Sequence, residues 1–398
     1  MAASLPVLLD ISRTISRAGR RHDTGIDRVE RAYVRWALAR PGTAFVCRMG
    51  RKMALVPADA AAELFAQLPD VEGARHWPLG RLMPGRSARD RRAERLVSVQ
   101  ARAVAMPQGL SPALRRHFGG DFAYINVGHT HLEERRLTAL GEAGAVRRVV
   151  MIHDVIPLTH PRTQTQKSVT TFGRRLKAAG LGATDLVTTA QATAQSISAH
   201  LPKAAPPLEV IPLGIEPIPA SVEAHTQSRP YFVQLGTVEP RKNTELLLEV
   251  WPQLPEPRPE LQLIGARGWL ADRLFDKIEA QSGDVTHLEG LTDTQTRARL
   301  KGARALLFPS LAEGFGLPLF EAIALNTPVI ASDLPVFREL APVGPLYLSS
   351  RDASSWIKEI KKQADRGTTG RAVADSPTTS IPSWDDHFDR LEAILSFQ

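Results

Sequence analysis

The stretch PSLAEGFGLPLFEAIALNTPVIAS, residues 309–332, decides the fold. The apolar run Ala305–Phe308 precedes it, and two glycines, Gly314 and Gly316, separate that run from an apolar segment that begins at Leu317. The pattern predicts a strand, a glycine-rich turn and the N-terminus of a helix. Such a turn can bind an anion, because glycine lets the backbone approach closely and the first amides of a helix are unpaired.

Two glutamates flank this turn. Glu313 precedes the glycines, and Glu321 lies about one turn into the predicted helix. We expect Glu313 to stand at the loop and face a cleft. Glu321 could then reach a ribose hydroxyl, while being too far along the helix to repel a diphosphate at its N-terminus. An ordinary strand–helix turn with two exposed glutamates is the alternative.

A second strand–turn–helix pattern, YFVQLGTVEPRKN, spans residues 231–243. Its turn begins at Gly236, and Arg241 and Lys242 lie just before the helix. The two cations suit a diphosphate, because arginine offers a bidentate fork and lysine a mobile point charge. A solvated turn is the alternative. On either interpretation, we expect replacing them to affect folding little.

Short β-rich runs alternate with helical patterns along the whole chain, which predicts parallel sheets covered by helices. We therefore expect two Rossmann-like α/β domains that face each other across a cleft. The polar, proline-bearing segment 216–228 marks the boundary, so the predicted domains are residues 1–217 and 218–375, followed by a tail helix in 376–398. The candidate strands are Val7–Ile11, Phe45–Arg48, Met53–Val56, Phe122–Val127, Val149–Ile156, Leu186–Thr189, Leu208–Ile211, Tyr231–Leu235, Leu261–Ile264, Val285–Leu288, Ala305–Phe308, Pro328–Ala331 and Leu346–Leu348.

Length and composition are those of a globular protein of two or three domains. The chain has 398 residues, of which 43% are hydrophobic and 23% charged,. It contains no apolar run of the ~18 residues that a membrane span needs. The N-terminus lacks the features of a signal peptide, and Cys47 is the only cysteine,. We therefore expect a cytoplasmic protein without an intrachain disulfide.

Charge is distributed unevenly along the chain. Residues 1–217 hold 31 Lys and Arg against 18 Asp and Glu, a net +13, whereas residues 218–398 have a net charge of −5. The densest basic segment is 81–95. The asymmetry favours an anionic partner, such as the inner face of the cytoplasmic membrane, over a solvated arginine-rich surface. Nucleic acid is not expected, because the sequence has no zinc-knuckle spacing and no RNP-type aromatic motif.

The second half of the chain resembles the retaining nucleotide-sugar glycosyltransferases of glycosyltransferase family 4, which have the GT-B fold. The resemblance covers residues 231–336 and rests on GTVEPRKN, IGARGW, LEGLTDTQ, FPSLAEGFGLPLFEA and TPVIASDLPVFRE. It implies a GT-B fold with the sugar nucleotide mainly on the C-terminal domain. The C-terminal helix is then expected to return towards the N-terminal domain.

The resemblance also implies roles for single residues. Arg241 and Lys242 would hold the diphosphate, Glu313 would lie beside the transferred sugar, and Glu321 would bind the ribose. The other predicted donor-binding residues come from the glycine-containing loops and the turn before Glu321, namely Gly236, Gly265, Gly290, Leu291, Thr292, Gly314, Phe315, Gly316 and Leu317.

In the N-terminal half the resemblance is weaker. Gly25, in the segment TGIDRV, matches a loop that approaches the donor phosphates, and His153, in MIHDVIP, matches a functional histidine near the donor sugar. Asp154 could orient the imidazole ring of His153. Thr189 begins a segment in which the family often has a serine, which puts any role of that serine in doubt here.

Metal binding is not expected. His129 and His131 have strand spacing and could be metal ligands, but no third ligand converges on them, so cleft-lining histidines are the preferred interpretation. The chain has no Asp-x-Asp motif, which argues against the metal-dependent GT-A class. We therefore expect neither a metal nor another cofactor.

The resemblance implies transfer of a hexose, with retention of configuration, from a nucleotide sugar to a glycan or a lipid-linked acceptor. GDP-mannose is the favoured donor, and bacterial surface polysaccharide synthesis is the favoured process. Two alternatives stay open. One is a GT-B sugar-nucleotide epimerase, and the other is a non-catalytic relative that binds a sugar nucleotide or a glycan.

Overall fold

Two separate sheets divide the chain into two α/β units. The computed structural model describes residues 4–20, 23–68, 88–269, 272–365 and 379–396. Among these residues, no helix is both long enough and apolar enough to cross a membrane.

The first sheet has eight strands in the order β4-β3-β2-β1-β5-β6-β7-β8. Strands β2, β3 and β4 pair antiparallel, and the remaining pairs are parallel. The strands are β1 (Val7–Asp10), β2 (Ala44–Met49), β3 (Lys52–Pro57), β4 (Ala103–Ala105), β5 (Phe122–Asn126), β6 (Ala145–Met151), β7 (Asp185–Thr188) and β8 (Leu208–Val210).

The second sheet is parallel throughout, in the order β11-β10-β9-β12-β13-β14. Counted within this unit, the order is 3-2-1-4-5-6, that of the doubly wound dinucleotide-binding fold. Its strands are β9 (Tyr231–Leu235), β10 (Glu260–Ile264), β11 (Val285–Leu288), β12 (Leu306–Phe308), β13 (Val329–Ser332) and β14 (Leu346–Leu348).

Helices cover both faces of each sheet. Those of the first unit are α1 (Ser12–Arg17), α2 (Gly25–Leu38), α3 (Ala58–Gln67), α4 (Ala88–Gln100), α5 (Ser111–Phe118), α6 (Glu134–Glu142), α7 (Ile156–Thr159), α8 (Gln166–Gly182) and α9 (Gln191–Ser198). The later helices are α10 (Thr244–Val250), α11 (Asp272–Glu279), α12 (Asp293–Gly302), α13 (Leu317–Ala324), α14 (Pro335–Leu340), α15 (Ala353–Asp365) and α16 (Trp384–Ser396).

The strand predictions agree with the structure except at two places. The predicted strand Val149–Ile156 is wrong beyond Met151, because the Asp154 carboxylate accepts from the backbone N–H of Ile156 (2.9 Å) and starts α7 there,. Strand β4 was not predicted, because its three residues lie at a sheet edge, Val104 is exposed, and so short a segment carries no clear hydrophobic pattern,. Both sheets follow the predicted α/β class.

The tail helix α16 returns to the first unit, as predicted, and packs on α2. Nδ1 of His387 lies 2.8 Å from the carbonyl oxygen of Pro212, which can only accept, so Nδ1 carries the proton,. Nε2 of His387 then accepts from the hydroxyl of Tyr33 at 2.8 Å. Phe388 stacks on Trp36 with ring centroids 5.2 Å apart.

The two units touch directly at Gly314. The hydroxyls of Thr189 and Thr193, from the first unit, each donate to its carbonyl oxygen at 2.9 Å. A Cβ at Gly314 would overlap the carbonyl oxygen of His153 and contact the side chain of Asp154. Glycine is therefore required here by the close approach of another backbone.

Replacing Gly314 with alanine should push the two units apart. We expect Gly314→Ala to lower the free energy of unfolding by about 1–3 kcal/mol, as overpacking does. Urea unfolding checks this, and Gly120→Ala is the matched control, because a Cβ at Gly120 meets no atom within 4 Å. If the two variants are equally stable, the interface accommodates the added methyl group and the prediction is wrong.

Candidate active site at the crevice of the second sheet

Chain order reverses in the second sheet between β9 and β12, which is where ligands bind in doubly wound folds,. The loops that follow these two strands carry both sequence motifs. They are joined by a backbone hydrogen bond of 2.8 Å from Leu311 N–H to the carbonyl oxygen of Arg241. The fold therefore brings the predicted cations and Glu313 to one crevice.

Glu313 is held by two cations and a hydroxyl. Its Oε1 accepts from Nζ of Lys242 at 2.6 Å and from Oγ of Ser310 at 2.8 Å. Nη1 of Arg241 lies 2.8 Å from the same oxygen, and its Nη2 lies 2.7 Å from Oε1 of Glu239. The Glu313 side chain is only 10% exposed.

This cluster shifts the pKa values of its members. Burial disfavours the charged form of Glu313, but Arg241 and Lys242 outweigh it and lower the pKa of the carboxyl to about 2,. Burial lowers the pKa of the Lys242 ammonium, against the attraction of Glu313. Burial also opposes the charge of Arg241, yet Glu313 and Glu239 raise its pKa.

The structure does not support the alternative interpretation, in which these cations lie on a solvated turn. Lys242 is buried, and its Nζ lies 4.6 Å from the centroid of the Phe308 ring. Removing Lys242 would leave the buried Glu313 with fewer partners, so its replacement also costs stability. We therefore expect Lys242→Ala to affect folding more than the sequence predicted.

The predicted glycine-rich turn leads into α13. Gly316 precedes the helix with a φ of 94°, a left-handed conformation that favours glycine,. The Phe315 side chain is buried and lies against Phe320. Leu317 opens the helix and faces the first unit, since a Cβ at Gly25 would lie 3.8 Å from its Cδ1. The N-termini of α2 and α13 thus meet at the cleft.

Glu321, predicted to bind the ribose, is ion-paired with Arg28 of α2. Their side chains are 11% and 23% exposed. Burial opposes the charge of Arg28, but Glu321 raises its pKa. Arg28 lies within the TGIDRV segment of Gly25, but no role was predicted for it from the sequence.

The remaining predicted donor-binding residues follow β9, β10 and β11 in adjacent loops. Gly236 N–H donates to the carbonyl oxygen of Ile264 (2.9 Å), and Gly265 N–H donates to that of Leu288 (3.0 Å). The loop of Gly290, Leu291 and Thr292 comes after β11, and the Thr292 hydroxyl caps α12. Gly290 and Thr292 are exposed, and both stand two strands away from β9.

His153 lies opposite, on the first unit, and is buried. Its Nε2 donates to the carbonyl oxygen of Val127 at 2.7 Å, and burial lowers its pKa to about 4. The prediction that Asp154 orients this ring is therefore wrong. The Asp154 carboxylate caps α7 instead, and Arg241 counteracts the rise in its pKa that burial causes.

His129 and His131 do not have the strand geometry that their spacing predicts. Both adopt left-handed backbone conformations, with φ values of 54° and 53°. His129 accepts at Nε2 from the backbone N–H of His153 (3.2 Å), and Nδ1 of His131 lies 2.6 Å from Nη1 of Arg48. Across the described ranges, no three His, Cys, Asp or Glu side chains group in a way that could hold a metal ion.

Sequence analysis missed four contributors to this site, Ser310, Arg28, Thr189 and Thr193. Ser310 lies three residues before Glu313, a spacing at which its hydroxyl can reach the carboxylate. This contact could therefore have been predicted from the sequence motif. The threonines act on Gly314 from the other unit, and no local pattern reports such a contact. Thr189 stands in the segment where a serine was expected, and its hydroxyl makes an interdomain hydrogen bond.

The fold is that of a two-domain GT-B protein, and the crevice of its C-terminal unit is lined by Arg241, Lys242 and Glu313. Residues 220–362 match the family model of glycosyl transferases group 1. The match lies within the C-terminal unit, which is therefore similar to this glycosyltransferase family, in agreement with the resemblance to family 4.

Known proteins agree with this assignment. The chain is 27% identical over 252 residues to the serotype-specific mannosyltransferase WbdA of Escherichia coli, which covers 57% of this chain and 31% of WbdA. It is 33% identical over 132 residues to the O-antigen chain mannosyltransferase RfbU of Salmonella typhimurium, covering 33% of this chain and 37% of RfbU. The chain thus spans about a third of the length of these curated relatives.

A solved structure matches almost the whole chain. Anabaena HepE, crystallised in complex with UDP and glucose, superposes with a TM-score of 0.62 over 99% of this chain and 100% of HepE, at 14% identity. At that identity the likeness shows the fold, and it confirms the predicted GT-B architecture.

The interdomain pair Arg28–Glu321 should contribute to stability. We expect a double-mutant cycle with Arg28→Gln and Glu321→Gln to give a coupling free energy of about 1–3 kcal/mol, because both partners are mostly buried. Urea unfolding measures it. The control cycle uses the exposed pair Lys277–Glu245, whose side chains are 48% and 60% exposed. We expect a smaller coupling for this control pair, because solvent screens exposed ion pairs. Equal couplings would contradict the prediction.

Proposed function

We propose that this protein transfers a hexose from a nucleotide-sugar donor to a glycan or lipid-linked acceptor, with retention of anomeric configuration. The donor diphosphate would bind between Arg241, Lys242 and the N-terminus of α13. The sugar would lie beside Glu313 and His153, and the ribose would lie near Glu321.

One observation carries the proposal. Glu313, Arg241 and Lys242 form a buried cluster at the switch point of a doubly wound sheet. The two cations are already oriented by hydrogen bonds, so they can stabilise charge that develops on a leaving diphosphate without reorganising. This would allow transfer without a metal ion.

The proposed retention of configuration rests on the carboxylates. A double-displacement mechanism needs a close carboxylate as nucleophile. Glu313 is held by Arg241 and Lys242, and Glu321 is held by Arg28. Neither carboxylate is presented as a nucleophile, which favours attack from the face of the leaving group, with the phosphate taking the acceptor proton.

GDP-mannose is the donor we favour. The relatives WbdA and RfbU are named as mannosyltransferases, and RfbU is named for the O-antigen chain. By analogy, the acceptor would be a bacterial surface polysaccharide or its lipid-linked precursor. An epimerase or a non-catalytic relative would bind the donor as well, so transfer to an added acceptor is the deciding measurement.

A thermal-shift panel of GDP-, UDP- and ADP-sugars tests donor binding. A ligand that binds only the folded protein raises its melting temperature, and we expect GDP-mannose to give the largest rise. Incubation of the best donor with and without acceptor then distinguishes transfer from epimerisation. Stabilisation by none of the nucleotide sugars would contradict the proposal.

The diphosphate and ribose roles should separate in kinetics. We expect Lys242→Ala to lower kcat, because it removes a charge-assisted contact to the leaving group. The loss should correspond to about 2–4 kcal/mol of transition-state stabilisation. Glu321→Gln should mainly raise KM for the donor, because the ribose is far from the bonds that change. Steady-state kinetics with GDP-mannose measures both, and Lys277→Ala, on an exposed surface, is the control. A near wild-type kcat for Lys242→Ala would refute the clamp.

Peripheral binding to an anionic membrane is also proposed, through the basic segment 81–95. Residues 81–87 lie outside the described residues, and α4 carries Arg89, Arg91, Arg92 and Arg95. Each suitably placed cation contributes about 1 kcal/mol of binding free energy at an anionic surface, and salt weakens this contribution. We expect co-sedimentation with anionic but not neutral vesicles at low salt, reduced when these four arginines become serine. Equal sedimentation with both vesicle types would contradict it.

A further inference from the structure

The first unit has a switch point of its own. In its sheet the chain order reverses between β1 and β5, so the carboxyl ends of these strands form the kind of crevice in which doubly wound folds bind ligands,. Asp10 ends β1 and Asn126 ends β5. The loop that holds His129 and His131 follows, and α1 begins two residues after Asp10.

The carboxylates of this crevice already have cationic partners. Asp10 accepts from Nη2 of Arg136 and from the hydroxyl of Tyr124, both at 2.7 Å. Asp27 accepts from Nε of Arg13 at 2.6 Å and is also paired with Arg17. The negative charges of Asp10 and Asp27 are therefore already compensated by these arginines.

Glu30 adds little negative charge. It is fully buried, and a Cβ at Gly128 would lie 3.4 Å from its Oε2, which places it behind the same loop. Burial and the nearby Asp10 raise the pKa of Glu30 well above its ordinary value, which favours its neutral form. His129 is kept neutral by burial, which lowers its pKa.

Arg175 brings a further positive charge to this crevice. It lies on α8 three residues after Phe172, whose ring centroid is 6.0 Å from that of His129, so Arg175 shares the helix face that meets the histidine loop,. Arg175 is half-buried, and within the described part of the chain no carboxylate pairs with it. Burial, Arg13 and Arg174 all lower its pKa.

A half-buried guanidinium with cationic neighbours and no carboxylate is suited to an anion from outside the protein. We propose that this crevice, with Arg175 and Arg13 as its cations and His131 as a hydrogen-bonding group, binds an anionic group of the acceptor, a phosphate or a carboxylate. The inference rests on the proposed function and specifies its acceptor as a charged saccharide.

Binding of small probes tests this assignment. The protein, with its donor site saturated by GDP, is titrated with mannose 6-phosphate, glucuronic acid and methyl mannoside at constant ionic strength, and the melting temperature is followed. We expect the anionic probes to stabilise the protein and the neutral mannoside to have no effect. The stronger of the two anionic probes identifies whether phosphate or carboxylate is preferred.

Two variants on the same helix give a matched comparison. Arg175→Gln removes this cation without breaking any ion pair between described residues, and Lys177→Gln removes an exposed charge two residues away. We expect Arg175→Gln to weaken binding of the preferred anionic probe about tenfold or more, and Lys177→Gln to leave it unchanged. The affinity for GDP should be the same in both variants.

Three results would overturn the proposal. The first is an equal effect of the two substitutions, and the second is equal binding of the neutral and anionic sugars. The third is a loss of GDP affinity in Arg175→Gln, which would place Arg175 in the donor-binding site. Failure of the wild-type protein to bind GDP would instead count against the proposed function. The anionic probes are then titrated without GDP, and their response to Arg175→Gln still decides this inference.

Discussion

A nearly buried carboxylate between two cations organises the C-terminal crevice. At 10% exposure the ionised Glu313 needs partners that replace water, and Arg241 and Lys242 lie within hydrogen-bonding distance of it,. The cluster joins the loop after β9 to the loop after β12, so the same contacts that satisfy the carboxylate also fix the geometry of the switch point. The cations are therefore placed before any diphosphate arrives.

The turn that follows Glu313 connects this cluster to the other unit. Gly314 has no side chain, so its backbone can lie against the carbonyl oxygen of His153 and accept hydrogen bonds from Thr189 and Thr193. His153 is oriented by the Val127 carbonyl of its own unit. A backbone contact thus sets the distance between the predicted catalytic groups of the two units.

The α/β class, most strands and the turn at Gly316 could be predicted from sequence, because each depends on a local pattern of apolar residues and glycine. The burial of Lys242, the Val127 partner of His153 and the pairing of Arg28 with Glu321 could not. They depend on contacts between segments far apart in the chain, whose approach only the folded sheets determine. The net charge of each half of the chain could be counted from the sequence, but the solvent exposure of each cation could be seen only in the structure.

The two carboxylates of the motif are held differently. Every partner of Glu313 lies on the C-terminal unit, whereas Arg28, the partner of Glu321, lies on the N-terminal unit. A rotation that separates the units must break the Arg28 pair and the threonine bonds to Gly314, but it leaves the Glu313 cluster intact. The hydrogen bonds of the proposed diphosphate site therefore do not depend on the relative position of the units, while the environment of Glu321 does. A ribose that binds Glu321 must share that carboxylate with Arg28 or replace it, which links donor binding to contact between the two units.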